Sequence, residues 1–130
     1  MLSRRSILLA TFVASATALT VASAAGPQPF NEAAFTQAQK DGKPIFVAID
    51  ASWCPICKAQ KPILADLMAD PKFKDLVYFT IDFDSQKDLV RRFGARAQST
   101  LISFKGATEQ GRSVGETNRR SIAALLDKVL

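Results

Sequence analysis

Pro44-Ile45-Phe46-Val47-Ala48-Ile49-Asp50-Ala51-Ser52-Trp53-Cys54-Pro55-Ile56-Cys57-Lys58 contains the only two cysteines and the only tryptophan of the 130-residue chain. Its first six residues are a nearly unbroken apolar run, which reads as a strand covered on both faces. Downstream, Ile63, Leu64, Leu67 and Met68 recur at helical spacing among Lys58, Lys61 and Asp66. Cys54 is therefore expected at a strand end, in the first turn of a helix. Unpaired backbone N–H groups and the helix dipole favour a thiolate there. Such positions lower a thiol pKa, and the thiolate is the species that attacks disulfides. Cys57, three residues on, is placed to close back onto Cys54 and release a mixed disulfide. The chain has no histidine, so the usual proton carrier at neutral pH is missing and the two sulfurs lead the candidates for chemistry.

Outward from this stretch, the amino terminus has the composition of an export signal. Arg4 and Arg5 precede the uncharged run 7–21, and Ala22-Ser23-Ala24 is a small-x-small cleavage site. The run is shorter than the roughly 20 residues of a membrane span, with an uncleaved anchor as the alternative. Ser3-Arg4-Arg5-Ser6 also has the twin-arginine pattern, so a Sec or a twin-arginine route fits. The expected organisation is a cleaved signal peptide over 1–24 and one compact domain over 25–130, located in the periplasm. Cleavage lowers the formal net charge from +5 to +3, with basic residues scattered, which argues against nucleic acid as a partner. An oxidising compartment makes a structural disulfide a real alternative. A bridge across two intervening residues closes a tiny loop, however, and constrains the unfolded chain little.

Gly26-Pro27-Gln28-Pro29 reads as a short stiff leader. Asn31 caps a helix that turns Ala34, Phe35 and Ala38 inward and ends at Gly42. Pro62 is expected to kink the cysteine helix, and Asp70-Pro71 to end it. Val77 to Asp82 reads as a second buried strand. Asp84 or Ser85 is expected to cap a helix running to Phe93, stopped by Gly94. Thr100 to Phe104 reads as a third strand, Lys105 to Gly111 as a linker, and Gly111 to Gly115 as a short fourth strand. Asn118 caps a last helix whose inward face is Ile122, Leu125, Leu126 and Val129. This alternation predicts an α/β fold with a mixed central sheet of four or five strands flanked by helices.

From about Phe30 to Leu130 the chain resembles thioredoxin. The most specific feature is a strand, then Ala51-x-Trp53-Cys54-x-x-Cys57-Lys58, then a helix with Pro62 five residues after the second cysteine. A second match runs from Phe93-Gly94 through Thr100-Leu101 to Val114-Gly115 and Leu125-Leu126-Asp127. Gly42-Lys43-Pro44 and Ala51-Ser52-Trp53-Cys54 are similar to the exported branch, which includes the periplasmic C-terminal domain of the transmembrane disulfide reductant conductor. The resemblance implies a thioredoxin-like fold with the first strand shortened or missing. It implies Cys54 as attacking nucleophile and Cys57 as resolving thiol, with Trp53, Pro55, Ile56, Lys58 and Ser99 supporting the site. It also implies that Gln98, Thr100 and Gly115 dock substrate backbone.

Three positions depart from the family pattern. The buried aspartate six residues before the nucleophile, which accepts the proton of the resolving thiol, is Ala48 here. Its lysine partner on the next strand is Thr80. Without the acid, a buried lysine has no partner, so the two losses agree. Asp50 reads as a solvated strand-end carboxylate, with a substitute acid as the alternative. Third, the family's cis-proline is replaced by Ser99. A non-proline cis bond costs about 3 kcal/mol, which weighs toward a trans Gln98–Ser99 bond. The Ser99 hydroxyl then offers a hydrogen bond to the Cys54 thiolate that proline lacks.

The reading that follows is an exported thiol–disulfide oxidoreductase that needs no cofactor or bound metal. Its expected partners are a protein disulfide substrate and a membrane or periplasmic thiol electron donor, and it is expected to be monomeric. Ile56, where strong oxidants of the family carry histidine, favours a reductant. The alternatives are a thiol oxidase or isomerase, a dimeric module holding zinc or an iron–sulfur cluster on four sulfurs from two chains, and a scaffold with an inert bridge.

Overall fold

The computed structural model describes residues 26–130. The expected signal peptide and its cleavage site lie outside the described residues. Nine elements follow in order: β1 (Pro27–Pro29), α1 (Glu32–Lys40), β2 (Pro44–Asp50), α2 (Pro55–Met68), β3 (Val77–Asp82), α3 (Lys87–Arg92), β4 (Thr100–Lys105), β5 (Thr108–Val114) and α4 (Arg119–Asp127). A single 3-10 turn, Pro71–Phe73, links α2 to β3. The strands form one mixed sheet in the order β1-β3-β2-β4-β5. β1, β3 and β2 run parallel, while β4 and β5 are antiparallel to their neighbours.

β2 is central and buried on both faces, which is why its sequence lacks polar alternation. Ile45, Val47 and Ile49 face one layer with Phe79, Ile81, Ile102 and Phe104, covered by Phe35 and Ala38 of α1 and Val90 of α3. Phe46 and Ala48 face the other, with Tyr78 and Leu101, covered by α2 through Leu64 and Met68 and by α4 through Ile122, Leu125 and Leu126. Phe35 anchors the first layer. Its ring meets those of Phe30, Phe79, Phe93 and Phe104 at centroid distances of 5.2 to 5.9 Å. Arg92 lies over three of these rings and pairs with Glu32, joining α3 to α1.

Three expectations are corrected. The leader is an edge strand: Pro27, Gln28 and Pro29 pair with Tyr78, Phe79 and Thr80. Edge strands tolerate proline because one row of their backbone groups needs no partner. This makes five strands, the first of them short. Neither Asp84 nor Ser85 caps α3. Asp82 accepts from the backbone N–H groups of both, closing a turn that delays the helix to Lys87. The segment read as a linker is mostly β5, because β4 and β5 form a hairpin with only Gly106 and Ala107 between paired Lys105 and Thr108. Gly106 takes φ +57° at the first turn position, where glycine is favoured. A bulge near Phe104 and the polar, largely exposed face of β5 hid this strand from an apolar reading.

Phe35→Ala is expected to cost about 3–5 kcal/mol. Urea unfolding followed by far-UV circular dichroism should show a lower midpoint with an unchanged slope.

Candidate active site

β2 ends at Asp50, and a turn closed by the Cys54 N–H donating to the Ala51 carbonyl (3.2 Å) delivers Cys54 to the start of α2. Cys54 is the N-cap of that helix, and the Cys57 N–H donates to its sulfur at 3.1 Å. Pro55 occupies the first turn, where its missing N–H costs nothing. The backbone N–H of Lys58 donates to the Cys54 carbonyl, and α2 continues through Pro62 to Met68. Cys54 and Cys57 are joined as a disulfide, with Cα atoms 5.3 Å apart.

Both cysteines are buried, Cys54 at 0 % and Cys57 at 3 % exposure, in a small cluster with Ala51 and Phe83. An attacking thiol therefore reaches the pair only when its surroundings give way. Those surroundings are apolar and open to solvent: Trp53, Ile56 and Val114 are among the exposed large hydrophobic residues. The Trp53 ring is tethered through its Nε1–H, which donates to Asp84 at 2.7 Å. Gly115, at φ +70°, completes this rim. A Cβ there would lie 3.9 Å from Ile56 Cδ1 and 4.0 Å from Ser99 Oγ. Lys58 is exposed beside the rim.

The comparisons agree with this geometry. The thioredoxin family model matches residues 27–128. The chain belongs to the thioredoxin family. It is 32% identical over 88 residues to an H-type thioredoxin of Fagopyrum esculentum, covering 68% of this chain and 73% of that protein. It is 31% identical over 77 residues to thioredoxin Asp f 29 of Aspergillus fumigatus, covering 59% and 70%. Among solved structures, Trxlp from Edwardsiella tarda superposes with a TM-score of 0.75 at 42% identity, covering 78% of this chain and 98% of that one. The chain is thus a thioredoxin-like thiol–disulfide oxidoreductase with a Cys-x-x-Cys pair, and members of this family act on protein disulfides.

Against that family pattern, Ser99 stands apart. All peptide bonds among the described residues are trans, the Gln98–Ser99 bond included. Ser99 instead adopts φ +61°, a conformation costing about 1–2 kcal/mol for a residue with a Cβ. Hydrogen bonds hold it there. Its N–H donates to the Ile49 carbonyl at 2.8 Å, and its carbonyl accepts from the Gly115 N–H at 3.0 Å and the Gln60 side chain at 3.3 Å. Its hydroxyl donates to the Gln98 carbonyl in this disulfide-bonded state, in which Cys54 carries no thiolate to accept it. Thr100 is buried with its hydroxyl donating to the Ala97 carbonyl, so its side chain supports this loop, while Gln98 is half-buried.

Gln60 is the supporting residue that motif reading missed. It is buried, and its Nε2 donates both to Ser99 and to the Glu116 carbonyl at 2.9 Å, tying α2 to the two loops beside the disulfide. Periodicity carries the signal: Gln60 falls on the buried stripe of α2 with Cys57, Leu64 and Met68. A polar residue in an apolar stripe needs a partner.

Asp50 is also not the solvated carboxylate that was expected. Its side chain is 25% exposed and pairs through Oδ2 with Lys61 Nζ at 2.8 Å, while Oδ1 is buried without a hydrogen-bond partner. An orphaned acceptor of this kind costs about 1–3 kcal/mol or more.

Gln60→Leu is expected to lower stability by about 1–3 kcal/mol, because two loop carbonyls lose a donor. Hydrogen exchange at the Gly115 amide should accelerate more than exchange in β3.

Proposed function

We propose that this thioredoxin acts in the periplasm, exported through the leader 1–24, and reduces a particular protein disulfide with electrons from a membrane thiol donor. The observation that carries the reading is the Cys54–Cys57 pair at the head of α2, set inside an exposed rim of Trp53, Ile56 and Val114. A rim of this kind suits an apolar polypeptide segment beside the target disulfide.

In the reduced protein, Cys54 is the nucleophile. The Cys57 N–H that donates to its sulfur, together with the positive end of the α2 dipole, stabilises the thiolate. Attack on the substrate disulfide forms a mixed disulfide and releases one substrate thiolate. Cys57 then attacks Cys54, the second substrate thiolate leaves, and the Cys54–Cys57 bridge remains. The rim residue Gly115 and the backbone at Gln98 align the substrate strand, and Trp53 covers the site. The donor reduces the bridge by the same steps in reverse, and the protein works as a monomer.

Ile56 is what favours the reducing direction. A group that stabilised the Cys54 thiolate further would stabilise the reduced form and make the pair more oxidising, and an apolar side chain between the cysteines does not do so. The exported branch is favoured by Gly42-Lys43-Pro44 and Ala51-Ser52-Trp53 together with the leader.

The potential of the pair, measured in dithiothreitol buffers on metal-free protein, is expected near the thioredoxin value of about −270 mV. A value near −120 mV would make it an oxidant. Cys57→Ser is expected to trap substrate as a mixed disulfide on Cys54, recoverable from a periplasmic extract and absent with Cys54→Ser. About half an equivalent of zinc per chain, or about one to two of iron for a shared two- or four-iron cluster, lost in Cys54→Ser, would replace this reading with a shared metal site. Terminal sequencing of the exported protein should begin at Ala25.

A further inference from the structure

We propose that Asp50 accepts the proton that Cys57 releases as it resolves the mixed disulfide. The proposal rests on the thiol–disulfide reading above and assigns a role that reading leaves open.

Cys57 is buried, and no histidine exists in the chain to take its proton. It does, however, line a cavity of about 490 Å³ between α2 and the sheet, with Asp50 in the same wall. The titratable groups lining that cavity are Asp50 from β2, Cys57 and Lys61 from α2, and Tyr78 from β3; β1 contributes only Pro27. Tyr78 is not an acceptor: burial, and then the Asp50 charge, push its pKa up to about 12, so it keeps its proton at neutral pH. Lys61 is engaged with Asp50 Oδ2. Asp50 Oδ1 is left as the buried acceptor without a partner.

Ala48 and Thr80, the positions of the family's acid and lysine, line the same cavity. Asp50 follows Ala48 by two residues on β2, on the same face and about 6–7 Å along the strand. Lys61 reaches it from the next turn of α2 after Cys57. This acid and its lysine thus share the wall of the same cavity, which has room for several waters to carry a proton between Cys57 and Oδ1.

The step balances as follows. Cys57 gives its proton to Asp50, its sulfur bonds to Cys54 Sγ, the Cys54–substrate bond breaks, and the substrate leaves as a thiolate with the electron pair. Asp50 then returns the proton to solvent through the cavity mouth.

Static electrostatics and proton transfer predict opposite signs. A carboxylate near a thiol favours the protonated thiol, so removing its charge would speed resolution if Asp50 acted only through its field. Losing a proton acceptor slows it. The test uses the reduced mature protein and an aromatic disulfide whose released thiolate absorbs visible light. The first release reports attack by Cys54, the second resolution by Cys57, and Cys57→Ser identifies the second by removing it.

In Asp50→Asn the first phase should be unchanged, which also shows that the variant is folded. The second should slow about 30-fold near pH 7, because an unaided thiol of pKa near 8.5 is only a few per cent ionised there. The deficit should close as pH rises past about 8.5. In the wild type the second phase should stay nearly flat from about pH 8 to about pH 6, where an unassisted thiol loses about tenfold per unit. A second phase as fast or faster in Asp50→Asn, or a tenfold-per-unit fall in the wild type, would overturn the proposal. A wild type lacking the first phase would overturn the underlying thiol–disulfide reading as well.

Discussion

Burial of β2 on both faces is the constraint on which the rest of the molecule depends. A strand flanked by β3 and β4 and covered above and below cannot slip by one residue without turning Phe46 and Ala48 into the layer that holds Ile45, Val47 and Ile49. That fixed register determines where the strand ends. Beyond its end, three residues bring the chain to Cys54, and the N-terminus of α2 points the Cys57 N–H at the sulfur. The chemistry is placed by packing some distance away, so the sulfurs need little local structure of their own.

The same strand holds the site from a second side. The Ile49 carbonyl accepts from the Ser99 N–H, extending the β2–β4 pairing up to the disulfide. A proline at position 99 would lack that donor. Serine gains the bond but must be kept at a positive φ, and Gln60 and Gly115 meet at its carbonyl to hold it. A rigid ring has in effect been exchanged for a hydrogen-bonded latch. The latch joins α2, the loop before β4 and the turn after β5, so a strain at the rim is shared by three elements.

Much of this was legible beforehand, for definable reasons. β2 and β3 are continuous apolar runs with no competing periodicity, and α1 and α4 carry asparagine caps that the structure uses, Asn31 to the Ala34 N–H and Asn118 to Arg120 and Ser121. β1 and β5 were misread because edge strands owe their existence to a neighbour's backbone and leave little mark in side-chain pattern. The start of α3 was misplaced because Asp82, a strand residue, competed successfully for the N–H groups that a helix cap would have taken. Within the site, the cysteines, Trp53 and Gly115 announced themselves by motif. Gln60 and Asp50 did not, since their roles depend on which carbonyls and which cavity lie opposite.

Asp50 shows why a family pattern locates a function less securely than it locates a fold. Replacing an acid by Ala48 and a lysine by Thr80 removes two buried charges together, which is the only inexpensive way to remove either. What remains is space beneath Cys57, walled by Leu64, Tyr78 and the stem of Lys61. A carboxylate at the strand end can enter such a space with one oxygen while the other stays on a lysine at the surface, so the cost of burying its charge is only partly incurred. The fold demands only that the face of β2 beneath α2 be filled; it is indifferent to which residue on that face carries the acid. Positions two apart on a strand share a face, so an acid lost at one can reappear at the next without disturbing register, helix or motif.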